Sequence, residues 1–276
     1  MRRSFERFSC GLGINYFKST KVLQMRDFYK CKLFKLSLIL SAITFFISCS
    51  DEGSDIGQTS GKAGSMARFT TTPDYVYTVD NQSLYVYQRL EDGSLLKINE
   101  RRLFTRVETI FYYDEKLFLG SQNAIFIFDV QNGSNPTLLT EYSHIISCDP
   151  VVVKDTLAFA TFRLSDCRLQ GIDVLEVINI KDVNNPVSLG MYTVPTPYGL
   201  AVSNNTLFVC LGNNGLRVFD VSNPKNLSIK SNHTGFHTYD VIVNDDVLII
   251  TGNNGIKQYS YINDQLVLLS SISSAL

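Results

Sequence analysis

Side chains able to do chemistry are few and scattered in this chain. Its histidines are His144, His233 and His237. His233 and His237 lie in a stretch without helical pattern, so a zinc triad would need a third ligand that nothing nearby supplies. GNNG occurs at 212–215 and again at 252–255. Each copy follows one apolar run and opens another, whereas a phosphate loop must open a helix to offer its N-terminal dipole. Asp245 and Asp246 are adjacent carboxylates in a hairpin turn, where Asp is favoured for backbone reasons. No spacing of Ser, His and Asp marks a nucleophile. The sequence therefore predicts no catalytic residue, no metal site and no cofactor, and leaves binding as the chemistry to look for.

The elements that must position any such site repeat along the chain. An apolar run, a turn rich in Asn and Gly, and a second apolar run recur five times, clearest in GNNGLRVFDV (212–221), GNNGIKQYSY (252–261) and SQNAIFIFDV (121–130). The first apolar residues after each turn, Leu84, Ile125, Leu175, Leu216 and Ile256, are 41, 50, 41 and 40 residues apart. A period near forty with four short strands is that of β-propeller blades. In the copy at 199–232, GLAV, LFVCL, LRVFDV and NLSIKS are separated by an Asn-Asn turn, GNNG and Ser-Asn-Pro. Asn and Gly tolerate the positive φ of tight hairpins, and Pro stops a strand. The predicted fold class is all-β: a propeller of about five four-stranded blades at 66–103, 104–143, 144–192, 193–233 and 234–276, with almost no helix. An exchanged strand between the first and last blades stays open.

In a propeller, the connections between blades share a face with the loops between each blade's second and third strands. That face gathers Asp149, Arg163 and Arg168 of blade three, Pro195 and Tyr198 before blade four, and His233, His237 and Tyr239 before blade five. A patch mixing Tyr, His, Arg and Asp suits a glycan, a peptide or a partner's loop. The alternative is a set of ordinary solvated loop residues. A rival function is a hydrolase or lyase acting on extracellular carbohydrate, with Glu108 and Asp149 as its acids and two carboxyl groups about 5 to 10 Å apart as its mark. A structural subunit of an envelope complex, marked by a flat apolar patch, is a third reading.

Charge and the N-terminus give the address. Residues 1–48 hold nine Lys and Arg against two acids, and residues 49–276 hold 16 against 24, a net of −8. No clustered basic stripe appears, which excludes a nucleic-acid partner. Lys30, Lys32 and Lys35 precede the apolar run LSLILSAITFFI (36–47), the pattern of a signal peptide. The run is shorter than the ~20 residues a membrane-spanning helix needs. FISC (46–49) resembles a bacterial lipobox, although Phe46 and Ile47 depart from it. The resemblance implies that Cys49 is lipidated, carrying acyl chains such as palmitate and anchoring the chain in a membrane. Met25 opens a better-proportioned signal sequence than Met1. SDEGSD (50–55) looks like the acidic stretch that directs Bacteroidota-type lipoproteins to the outer surface, and also fits a plain charged tether. The predicted domains are 1–48, a signal region; 49–65, a lipidated Cys and flexible linker; and 66–276, the propeller.

An exported domain permits disulfides. Cys148 enters blade three and Cys167 lies in its enlarged middle loop on the same face, so a Cys148 to Cys167 bond is expected, worth ~3 kcal/mol by loop closure. Two reduced, buried thiols are the alternative. Cys210, within an apolar strand, reads as a small core residue. Finally, the strands LRVFDV and AIFIFDV, with CDPVVV (148–153), NNPVSLGMY (184–192), PYGLAV (197–202) and YDVIV (239–243), resemble the LVIVD repeat of bacterial surface propellers. The resemblance implies an exported lipoprotein at the outer membrane, on the cell surface or facing the periplasm. It would act as a non-enzymatic binding or scaffolding module with an envelope protein or glycan as partner. Asn179 and Ser260 replace the repeat's Asp in two blades, so that Asp is expected to cap a turn and not to act in catalysis. Asp155-Thr156-Leu157 is similar to an O-glycosylation acceptor of such proteins and also fits a hairpin.

Overall fold

The structure is a computed structural model that describes residues 64–143, 150–163 and 171–274. The chain divides into two compact units, 1–57 and 58–276, and the described residues all belong to the second. The predicted signal region and Cys49 lie outside them.

Twenty strands form five antiparallel sheets of four, each built from consecutive strands. Blade one comprises β1 (Phe69–Thr71), β2 (Tyr75–Val79), β3 (Ser83–Arg89) and β4 (Leu95–Arg102). Blade two comprises β5 (Val107–Tyr113), β6 (Lys116–Ser121), β7 (Ala124–Asp129) and β8 (Thr137–Ser143). Blade three follows as β9 (Val151–Lys154), β10 (Leu157–Phe162), β11 (Val174–Asn179) and β12 (Val187–Thr193). Blade four is β13 (Leu200–Ser203), β14 (Thr206–Cys210), β15 (Leu216–Asp220) and β16 (Ser228–His233). Blade five is β17 (Asp240–Asn244), β18 (Val247–Gly252), β19 (Gly255–Ile262) and β20 (Gln265–Ile272). The described residues contain no helix. Among the described residues, the first and last blades exchange no strand.

Local chemistry explains the sheets. The first two strands of blades two to five meet in two-residue turns, and Asp114, Glu115, Asp155, Asn204 and Asp245 take the left-handed conformation there, which Asn and Asp tolerate. Each outer strand carries a bulge against the third strand, with Ile98, Leu139, Leu189, Lys230 and Leu269 as the extra residues. The bulge adds twist, so each outer strand fans away from the axis. At the end of the third strand, Asp129, Asn179 and Asp220 each accept the backbone N–H two residues on, at 3.0, 2.9 and 2.8 Å. This is the turn-capping role expected, and Asn179 fills it as well as Asp does.

The core lies between blades. Side chains from both faces of each inner sheet interdigitate with the neighbouring blades in four clusters, bridging one to two, two to three, three to four and four to five. Cys210 is a buried free thiol in the last of these. Among the described residues, no such cluster bridges five to one. Phe69 is 57% exposed and Ile256 42%, whereas Leu200 and Leu216, their equivalents in blade four, are fully buried. A polar clasp joins the ends instead. Ser65 Oγ donates to Asp240 Oδ1 (3.1 Å) and accepts from the Leu200 N–H (2.7 Å), and the Met66 N–H donates to Asp240 Oδ2 (3.3 Å).

Candidate functional site

The inner strands β1, β5, β9, β13 and β17 surround a channel. Its upper mouth is the face of the connections between blades; its lower end is the face of the β1–β2 type turns. Ladder registers put Phe69, Ile110, Val151, Leu200 and Val241 at equivalent points of the inner strands. Two residues earlier stand Ala67, Glu108, Asp149, Tyr198 and Tyr239. This position recurs around the upper mouth, and its blade-three member, Asp149, lies outside the described residues. Glu108 falls at a β-bulge between Val107 and Thr109, a device that re-aims a side chain.

The structure brings together four of the eight residues predicted for this face. The Arg163 guanidinium sits 4.1 Å over the Tyr198 ring, a cation–π contact worth ~1 kcal/mol. Tyr198 meets Tyr239 edge to face at 5.4 Å between centroids, and His237 meets Tyr239 at 4.2 Å. Tyr198 and His237 lie 6.2 Å apart. The GNNG turn shapes this cluster. Gly212 (φ 56°) lies under the Tyr198 ring, where a Cβ would come within 2.8 Å of it. Gly215 (φ 79°) faces the His233 carbonyl so closely that a Cβ would overlap it. Thr238 fastens the turn, its Oγ1 donating to the Gly215 carbonyl (2.7 Å) and accepting from the Leu211 N–H (3.1 Å). His237 Nδ1 is buried and makes no hydrogen bond.

His233 does not join the cluster. It closes β16, where Ser231 Oγ lies 2.9 Å from its Nε2 and its ring packs edge-on against Tyr261. Burial holds its pKa below the ordinary value, against the pull of Asp264. Sequence spacing put His233 on the face because it lies just before the connection, but the last residue of an outer strand sits far from the axis. Arg168, Cys148 and Cys167, like Asp149, lie outside the described residues.

Residues the sequence reading passed over complete the mouth. A cavity of about 290 Å³ there is lined by Arg68, Arg106, Glu108, Arg163 and Tyr198, among others. Arg68 binds the bulge, donating to the carbonyls of Glu108 (3.3 Å) and Val107 (3.1 Å) and to Asn81 Oδ1 (3.2 Å). Arg106 Nε lies 3.2 Å from Glu108 Oε1. The N–H does not point at that oxygen, which is closed off from solvent and accepts no hydrogen bond. The sequence already offered Glu108 as a candidate acid, but only the bulge shows that Arg68 and Arg106 flank it. A second cavity of about 270 Å³ opens at the channel's lower end between the inner strands, with Phe111, Val152, Val202 and Val243 in its wall. No three His, Cys, Asp or Glu side chains come together among the described residues. Exposed apolar side chains gather away from the mouth, on β20, as Val267, Leu268, Leu269 and Ile272.

Comparison with known proteins supports the architecture. Residues 198–234, the span of blade four, match the LVIVD repeat. No curated protein is similar enough to count as a relative. Among solved structures, the periplasmic gluconolactonase of Pseudomonas aeruginosa is similar at 14% identity, over 72% of this chain and 67% of that one, with a TM-score of 0.59. A protein from Lactobacillus plantarum is similar at 15% identity, over 74% of each chain, with a TM-score of 0.57. BamB from Moraxella catarrhalis is similar at 9% identity over 67% of this chain and 55% of that one, with a TM-score of 0.52. At such identities the likeness is one of fold.

Proposed function

We propose that this LVIVD-repeat β-propeller is an exported, lipid-anchored module of the cell envelope that binds its ligand or partner at the upper mouth of the channel. The observation that carries the reading is the convergence of Arg163, Tyr198, Tyr239 and His237 beside a cavity of about 290 Å³. Recognition sites combine a concave, partly apolar surface with a few fixed polar groups, and loops held on a rigid scaffold supply them. Export and anchoring rest on the signal pattern and on Cys49. The similarity to a periplasmic gluconolactonase and to BamB adds support for an envelope location. Binding without chemistry fits the mouth better than hydrolysis, because Glu108 is the one carboxylate among the described residues lining the cavity. The rival hydrolase or lyase would need Asp149, which lies outside the described residues, as its second acid.

Photocrosslinking in cells tests the reading. A photoreactive residue replacing Tyr239, which is 39% exposed at the mouth, should trap the ligand or partner as a defined mass adduct. The same residue at Asp114, in a lower-face turn, should trap nothing comparable. Equal trapping at both positions, or trapping at Asp114 alone, would refute it.

A further inference from the structure

The cavity at the channel's lower end is separate from the upper mouth, and its wall has a different chemistry. It opens among the inner strands of all five blades, with Thr70, Phe111, Val152, Val202 and Val243 around it. Phe111, Val202 and Val243 are only partly buried although they stand on inner strands, so apolar surface lies uncovered inside the ring, and covering it is favourable. A dry cavity of about 150 Å³ is enough for benzene, so about 270 Å³ holds one ring with a short tail.

Charge decides what the tail carries. Among the described residues in the wall, Asp245 is the one charged side chain, and no Lys, Arg or His lines the cavity. The Asp245 carboxylate makes no hydrogen bond or ion pair with the described residues. It stands exposed at the opening, on a turn residue held at φ 53°. The neighbouring turns of this face add Asp74, Asp114, Glu115, Asp155 and Asp246. The lysines that flank them are already taken: Lys116 Nζ lies 3.4 Å from Asp114 Oδ2, and Lys154 Nζ lies 2.6 Å from Asp155 Oδ2. The field at the lower opening is therefore negative; it repels an anion and draws in a cation. We propose that the lower end of the channel binds a small organic amine, its ring-sized apolar body among Phe111, Val152, Val202 and Val243 and its ammonium group on the Asp245 carboxylate.

Isothermal titration of the full-length protein in nonionic detergent, with protein-free micelles as the blank, tests this. The probes are 2-phenylethylamine, a cation at neutral pH, and 2-phenylethanol, its uncharged counterpart of the same size. The amine should bind at least about tenfold more tightly, the margin of a charge-assisted hydrogen bond. Asp245→Asn keeps a residue that tolerates the left-handed turn; it should remove roughly tenfold of the amine's affinity and leave the alcohol's unchanged. Asp74→Asn, which takes a carboxylate from the same face outside the cavity wall, should change the amine's affinity less than about twofold. Unchanged circular dichroism will show that both variants fold. Equal binding of amine and alcohol, or undiminished amine binding in Asp245→Asn, would overturn the inference. Equal losses in Asp74→Asn and Asp245→Asn would overturn it too, by showing that the face attracts cations without a site for them. Failure of both probes to bind at millimolar concentration would leave water as the occupant and likewise overturn it. The crosslinking at Tyr239 tests the opposite end of the channel, so the two readings stand or fall separately.

Discussion

Replacing Asp240 by Asn is a sharp test of how this ring is held shut. The Asp240 carboxylate is packed among Gly64, Ser65, Met66 and Gly199, where a Cβ on either glycine would overlap it. Burial pushes its pKa up from 3.8 to about 6, against the lowering effect of the Met66 N–H, the Ser65 hydroxyl and the Val241 N–H. The folded protein thus holds the proton more tightly than the unfolded chain. Stability linked to this group is full below pH 3.8 and is lost as pH rises through about 6. At about 1.4 kcal/mol per pH unit, the gap between the two values makes the ionised carboxylate cost about 3 kcal/mol at neutral pH. Roughly 2 kcal/mol of that falls between pH 4 and pH 7, because the unfolded chain is already partly ionised at pH 4. Asn keeps the size and the Oδ1 acceptor and has nothing to ionise. Urea unfolding of wild type and Asp240→Asn, followed by circular dichroism every half pH unit from 4 to 7.5, should therefore show the stability difference drifting by roughly 2 kcal/mol in favour of the variant as pH rises. His233 works in the opposite sense, since its lowered pKa makes the fold lose stability as pH falls below the ordinary histidine value. It is present in both proteins and cancels in the difference. Parallel pH profiles would show that Asp240 does not titrate in the clasp and would remove the argument.

Other consequences can be checked more simply. Glu176 is fully buried between blades two and three, and Tyr142 O–H donates to its Oε1 at 2.8 Å. Tyr142→Phe leaves that carboxylate without its donor and should cost ~2 kcal/mol in urea unfolding, where a loss under half of that would contradict the pairing. Gly215→Ala should lower stability by at least ~1 kcal/mol, from the left-handed backbone and the overlap with the His233 carbonyl, and an unchanged midpoint would count against the turn geometry. Labelled palmitate should enter the wild type and not Cys49→Ala. Mass mapping without reductant should find Cys148 joined to Cys167 and Cys210 free, in keeping with a thiol whose pKa burial raises well above its ordinary value.

What could be read from the sequence, and what could not, follows from the range over which each feature is encoded. The blades were legible because each is a local object: four strands and their turns lie within some forty to fifty residues and repeat five times, three of them with the Asp or Asn cap. The same locality made Tyr198, His237 and Tyr239 predictable, since each precedes an inner strand by a fixed count. His233 misled because it also lies near a connection in sequence, while the radial fan of the blade carries the end of an outer strand away from the axis. The remaining features depend on partners that no local pattern announces. Ser65 meets Asp240 across 175 residues, a contact that exists only once blade five meets blade one, and Arg68 reaches the Glu108 bulge across 40, a contact that exists only once blades one and two pack. These two contacts share one feature: both involve residues of the short stretch 64–68 that precedes blade one. That stretch supplies Ser65 and Met66 to the clasp and Met66 and Arg68 to the wall of the mouth. If the chain is tethered through Cys49, the tether thus enters the propeller where the ring closes and where the upper cavity opens.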